Sequence, residues 1–116
     1  MSIIIYHNPR CSKSRQTLAI LEDKGMNVDV IEYLQTPPDA ATLKTLINKL
    51  GITAKDLLRK GEDEFKQAGL DKENITDEEI IQAMVKYPKL IERPIVVYKD
   101  KAALGRPPEN VLAILE

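Results

Sequence analysis

Apolar residues along this chain fall into two rhythms, one of strands and one of helices. Ile3-Ile4-Ile5-Tyr6 is a short unbroken apolar run, the mark of a buried strand. From Ser12 to Lys24 the spacing of Leu18, Ile20 and Leu21 predicts a helix, and Gly25 is a natural residue just past its end. Val28 to Tyr33 is rich in β-branched residues and reads as a second strand. The three make a β-α-β unit, which predicts parallel strands and a right-handed crossover.

Thr36-Pro37-Pro38-Asp39 breaks this pattern, and helical spacing then takes over. Leu43, Leu46, Ile47 and Leu50 mark one helix, which Gly51 terminates. Thr53 can cap a short helix through Leu57 and Leu58, closed by Arg59-Lys60-Gly61. A further helix carries Phe65 and Ala68 and ends at Gly69. Thr76-Asp77-Glu78-Glu79 has the form of a capping box and opens a helix bearing Ile80, Ile81, Met84 and Val85, with Pro88 at its end. Ile95-Val96-Val97-Tyr98 returns to a strand, Lys99-Asp100-Lys101 turns, and Ala102-Ala103-Leu104 pairs back as a weaker strand. Pro107-Pro108-Glu109 then opens a closing helix with Val111, Leu112 and Leu115. The order β-α-β, helices, β-β-α predicts an α/β protein with a mixed four-stranded sheet and a helical insertion over about residues 39–87.

Bulk properties narrow the class. At 116 residues, without a repeat, linker or low-complexity tract, a single domain over 1–116 is expected. A net charge of −1 supplies no basic field of the kind that holds nucleic acid, and none is expected as a partner. No apolar run approaches the ~20 residues that cross a bilayer, and Ile3–Ile5 is too short for a signal peptide. One cysteine cannot form an internal disulfide, which fits the cytoplasm and requires any disulfide chemistry to use a second molecule.

The stretch His7-Asn8-Pro9-Arg10-Cys11-Ser12-Lys13-Ser14-Arg15 holds both the single cysteine and the single histidine. A lone cysteine is often only a small buried hydrophobe. Here its neighbours are polar and basic, and it sits between a strand and a helix. The unsatisfied N–H groups of the first helical turn, with the helix dipole, favour a thiolate and a nearby oxyanion. His7 can hydrogen-bond within the loop or tune the thiol; a supporting role suits it better than proton transfer. One His and one Cys are too few for a zinc site, so no metal is expected.

Three arginines lie at element ends: Arg59 after a short helix, Arg93 before Pro94 at the mouth of a strand, and Arg106 between the hairpin and the last helix. A guanidinium fork suits an oxyanion, although single arginines are commonly solvated surface charges. Their spacing alone does not show that they converge. Pro94 suits the first position of a strand.

Taken together, His7-Asn8-Pro9, Cys11-x-x-Ser14-Arg15, Tyr33-Leu34-x-Thr36-Pro37-Pro38, Leu57-Leu58-Arg59-Lys60, Arg93-Pro94-Ile95-Val96-Val97 and Gly105-Arg106-Pro107 resemble the ArsC-type, glutaredoxin-linked arsenate reductase family over essentially the whole chain. The resemblance implies a thioredoxin-like fold with Pro94 as the cis-proline facing the cysteine. It implies Cys11 as the catalytic nucleophile, Arg59, Arg93 and Arg106 around the oxyanion, and His7, Ser14 and Arg15 shaping the loop and tuning the thiolate. Arsenate would be the substrate, glutathione the co-substrate and glutaredoxin the protein partner, with no bound cofactor. Between Cys11 and Ser14 stand Ser12 and Lys13, where plasmid-borne members carry small uncharged residues. Two other functions share the fold. A glutathione-dependent thiol oxidoreductase would not need three arginines for an oxyanion, and a Spx-like polymerase-binding regulator typically carries a Cys-x-x-Cys switch, which Ser14 precludes.

Overall fold

The computed structural model describes residues 2–59, 61–70 and 74–115; Lys60, assigned from sequence to the turn after the short helix, lies outside the described residues. The chain groups into two compact units, Met1–Thr36 with Arg93–Glu116, and Pro37–Glu92.

The first unit contains β1 (Ser2–His7), α1 (Ser12–Asp23), β2 (Asn27–Glu32), β3 (Ile95–Tyr98), β4 (Lys101–Leu104) and a 3-10 segment (Pro108–Ile114). The strands form one sheet in the order β2-β1-β3-β4. β1 runs parallel to β2 and antiparallel to β3, and β3 runs antiparallel to β4. This is the mixed four-stranded, thioredoxin-like arrangement. The register sets Ile5 opposite Val96, and Val96 opposite Ala103. Because side chains alternate along a strand, Ile3, Ile5 and Val96 share a face, and that face is covered by Leu21 of α1 and by Val111 and Ile114.

The end of β2 and the type of the closing helix differ from the sequence reading, and β1 and β4 extend to include His7 and Lys101. β2 stops at Glu32 because its carbonyl accepts the N–H groups of Gln35 (3.0 Å) and Thr36 (2.9 Å), which turns the chain out of the sheet before Tyr33. The closing helix is 3-10 rather than α. Its buried residues are Pro108, Val111 and Ile114, and a three-residue period matches a helix in which positions i and i+3 eclipse.

The second unit is helical: α2 (Ala40–Leu50), α3 (Ala54–Leu57), α4 (Asp63–Gln67), α5 (Asp77–Lys86) and a 3-10 turn (Pro88–Leu90). Asp39 caps α2 by accepting the Thr42 N–H at 2.8 Å, and Gly51 ends it at φ +68°, a region that costs glycine no Cβ clash. Both α3 and α5 begin with capping boxes, Thr53 with Asp56 and Thr76 with Glu79. Leu58 does not extend α3 as expected. It bridges Ile91, the Arg59 N–H donating to the Leu90 carbonyl and the Glu92 N–H to that of Leu57, each at 2.8 Å. Among the described residues no helix is long and apolar enough to cross a membrane.

Gly105, directly after β4, donates its N–H to the Pro94 carbonyl at 3.0 Å. A Cβ at this position would fall on Thr17 Oγ1 and, at 2.8 Å, on Pro94 Cγ. Gly105→Ala is therefore expected to lower stability in urea unfolding by about 1–3 kcal/mol, the usual cost of overpacking. A change smaller than about 0.5 kcal/mol, the range of an indifferent surface site, would refute this close approach.

Candidate active site

Cys11 occupies the N-cap position of α1, with extended backbone angles (φ −95°, ψ 124°) ahead of the first helical residue. Its loop is tied at several points. The Cys11 N–H donates to the Asn8 carbonyl at 3.0 Å, and the Arg10 N–H to Asn8 Oδ1 at 3.0 Å. The Asn8 N–H reaches Ser14 Oγ at 3.4 Å, and Arg15 Nη1 donates to the Pro9 carbonyl at 3.0 Å. Ser14 is fully buried and Cys11 is 9% exposed. Both loop-shaping residues, Ser14 and Arg15, thus act within one turn of the sulfur.

Burial by itself pushes the Cys11 thiol up. Against it act the Ser14 backbone N–H, the Arg93 guanidinium, the Lys13 backbone N–H and the Ser14 side chain, and together they hold the thiol below its ordinary range. The Cys11 side chain makes no capping hydrogen bond by geometry. An ionised sulfur is the better acceptor for the first-turn donors that an N-cap oxygen would otherwise satisfy.

The Arg93–Pro94 peptide bond is cis, and so is Arg106–Pro107, which nothing in the sequence reading singled out. Arg106 Nη1 donates to the Arg93 carbonyl at 3.1 Å, and Asn110 Nδ2 donates to the Arg106 carbonyl at 3.1 Å. Cys11, Ser14, Arg93, Pro94 and Arg106 thus belong to one unit, with Arg93 acting directly on the thiolate's charge. Arg59 belongs to the helical unit, where its guanidinium pairs with Glu62 at 2.9 Å and Glu92 at 3.8 Å.

His7 is 6% exposed, and its Nδ1 has no hydrogen-bond partner among the described residues. Burial lowers its proton affinity, the Glu32 carboxylate partly offsets this, and Arg15 lowers it further; the net direction is down. A neutral imidazole at neutral pH follows. No group of three or more His, Cys, Asp or Glu among the described residues is placed to hold a metal ion.

Two residues of this site, Thr17 and Asn110, escaped the sequence reading. Thr17 is fully buried, with Oγ1 donating to the Lys13 carbonyl at 2.7 Å, and it limits how closely Gly105 approaches α1. In sequence it is one more polar residue of the predicted helix, and only the fold shows its burial. Asn110, which holds the Arg106 carbonyl, looks in sequence like any surface asparagine.

Residues 6–114 match the ArsC family model. The chain belongs to the ArsC family. It is 54% identical over 112 residues to the uncharacterized protein YfgD of Escherichia coli K12, covering 96% of this chain and 94% of that one. It is 47% identical over 114 residues to the arsenate reductase of Neisseria meningitidis serogroup A, covering 97% of each. Among solved structures, the arsenate reductase from Vibrio cholerae superposes with a TM-score of 0.94 at 48% identity, covering 98% of each chain.

In this ArsC-family site the thiolate fraction depends on Arg93 and Ser14. Alkylation of Cys11 by iodoacetamide, followed against pH, should titrate below a free thiol's ~8.5, and Arg93→Ala and Ser14→Ala should each move the midpoint upward. An unmoved midpoint in both would remove the electrostatic account. The depressed affinity of His7 has a consequence for folding. The unfolded chain binds a proton to this histidine near pH 6.5 while the folded chain still refuses it, so stability is full above about pH 6.5 and falls as the pH drops toward the folded value. His7→Gln should flatten that fall in urea-unfolding midpoints.

Proposed function

We propose that this chain reduces arsenate to arsenite, with Cys11 as nucleophile and with glutathione and glutaredoxin, as found in the cytoplasm, as the source of electrons. The observation that carries the reading is the Cys11 thiolate held between the N-terminus of α1 and the Arg93 guanidinium, in a chain whose relatives include named arsenate reductases. The Cys11 thiolate attacks arsenic, and an oxygen leaves as water after taking up a proton, giving a thiol-arsenate adduct. Glutathione then adds its sulfur to arsenic with loss of a second oxygen as water. The glutaredoxin thiol attacks the glutathione sulfur, and the electron pair of the arsenic–sulfur bond stays on arsenic, which becomes arsenic(III). Water releases arsenite from Cys11 and restores the thiol. In sum, arsenate and two thiols yield arsenite, a mixed disulfide and water. Arg93 and Arg106 would neutralise the oxyanion and the charge growing on its oxygens. The resemblance adds Arg59 to that set.

The deciding experiment measures arsenite released from arsenate by the purified protein with glutathione and glutaredoxin. Cys11→Ser should abolish release, because an alcohol is a far poorer nucleophile at neutral pH. Arg93→Ala should lower kcat/KM by about 10²–10³, as removal of one oxyanion donor commonly does, while Cys11 remains alkylatable. Turnover in the Cys11→Ser protein close to wild type would overturn the assignment. Absence of wild-type turnover with a reactive Cys11 would favour a glutathione-dependent thiol oxidoreductase.

A further inference from the structure

The mechanism leaves unused a cleft of about 230 Å³ beside the active-site turn, lined by His7, the Asn8–Arg10 turn, Glu32, Leu34 and Gln35. We infer that this cleft binds the α-amino-acid end, an ammonium and a carboxylate on one carbon, of the small thiol that reacts at Cys11. The inference rests on the functional reading above, which brings a thiol to that sulfur.

Sheet register builds one wall. His7 and Glu32 are aligned partners at the ends of the parallel strands β1 and β2. Aligned residues of parallel neighbours project from the same face, with strands about 4.8 Å apart. The Glu32 carboxylate accordingly acts on the imidazole charge. Arg10 also lines the cleft, its backbone N–H held by Asn8 Oδ1.

Both charged side chains are exposed, and neither has an ion-pair or hydrogen-bonding partner among the described residues. An acid and a base that line one cleft without pairing leave a carboxylate and a guanidinium fork for a ligand. A lone carboxylate ligand would be repelled by Glu32, and a lone amine by Arg10. A zwitterion satisfies both: its ammonium meets Glu32, its carboxylate meets the Arg10 fork, and the Gln35 amide can add a further hydrogen bond. Leu34, 38% exposed, offers apolar surface to the methylenes that follow.

Size and reach agree with this ligand. A cleft of about 230 Å³ is the space of an amino-acid head group with a short stem and not of a whole tripeptide. The remainder must run out over the turn, and Arg10 is the residue next to Cys11, about 3.8 Å away between Cα atoms. In a γ-glutamyl thiol such as glutathione about seven bonds, roughly 8–9 Å extended, separate the α-carbon from sulfur. That length allows the head group to sit in the cleft with the thiol at Cys11.

S-methylglutathione, which cannot react, is the probe. Calorimetric titration should detect binding to the wild-type protein, weakened about tenfold or more by Glu32→Gln and by Arg10→Gln, the scale of one lost charge-assisted hydrogen bond. The analogue with glutaryl in place of γ-glutamyl, which lacks the ammonium, should bind the wild-type protein as weakly as S-methylglutathione binds Glu32→Gln. In turnover, Glu32→Gln should raise the KM for glutathione by a similar factor and leave the KM for arsenate in place. Normal arsenate turnover with an unchanged glutathione KM in both variants would refute the cleft while the proposed function stands. Glu32-dependent binding of S-methylglutathione by a protein that does not reduce arsenate would uphold the cleft and refute the function.

Discussion

A thiolate that is nine-tenths buried persists only if fixed dipoles and charges replace the water it has lost. At Cys11 the replacement comes from the first-turn N–H groups of α1, the Ser14 side chain and the Arg93 guanidinium. Desolvation is the largest single influence on this sulfur, and it acts in the wrong direction; the donors prevail only because several act on one atom. The strand-to-helix turn that places an N-cap residue here is thus an electrostatic device as much as a connection.

Maintaining that arrangement is a packing problem. Arg93 enters from the loop that carries Pro94, so the loop must stay close to α1. Gly105 makes this possible: its N–H holds the Pro94 carbonyl, and its missing side chain leaves room for Thr17. Arg106 and Asn110 extend the same loop through hydrogen bonds to the carbonyls of Arg93 and Arg106. One hairpin end therefore carries both Arg93 and Arg106 and the contacts that fix them.

Beside the turn, His7 and Glu32 show how strand register creates function at a distance in sequence. Twenty-five positions separate them, yet β1–β2 pairing makes them neighbours. The same buried imidazole then forms a wall of the cleft we assign to the thiol's amino-acid end. Arg59, in the helical unit, has its charge met by Glu62 and Glu92, and the bridge of Leu58 to Ile91 holds the backbone on either side of that pair.

Local pattern was sufficient for much of this molecule. The apolar run of β1, the capping boxes at Thr76 and Thr53, Gly51 beyond α2 and the β-branched Ile95–Val97 each encode their element within a few residues, because caps, positive φ and strand propensity are short-range effects. The cysteine's setting was legible for the same reason, since a helix N-terminus lies within one turn of it. What local pattern could not decide were features made by distant residues meeting. The i+3 burial of Pro108, Val111 and Ile114 follows from packing on the sheet, and the end of Leu58's helix follows from its pairing with Ile91. Chemistry at Cys11 was written in the order of its neighbours; its charge balance, its arginine and the walls of its cleft came from tertiary contacts, because Coulomb and van der Waals forces depend on distance in space and not along the chain.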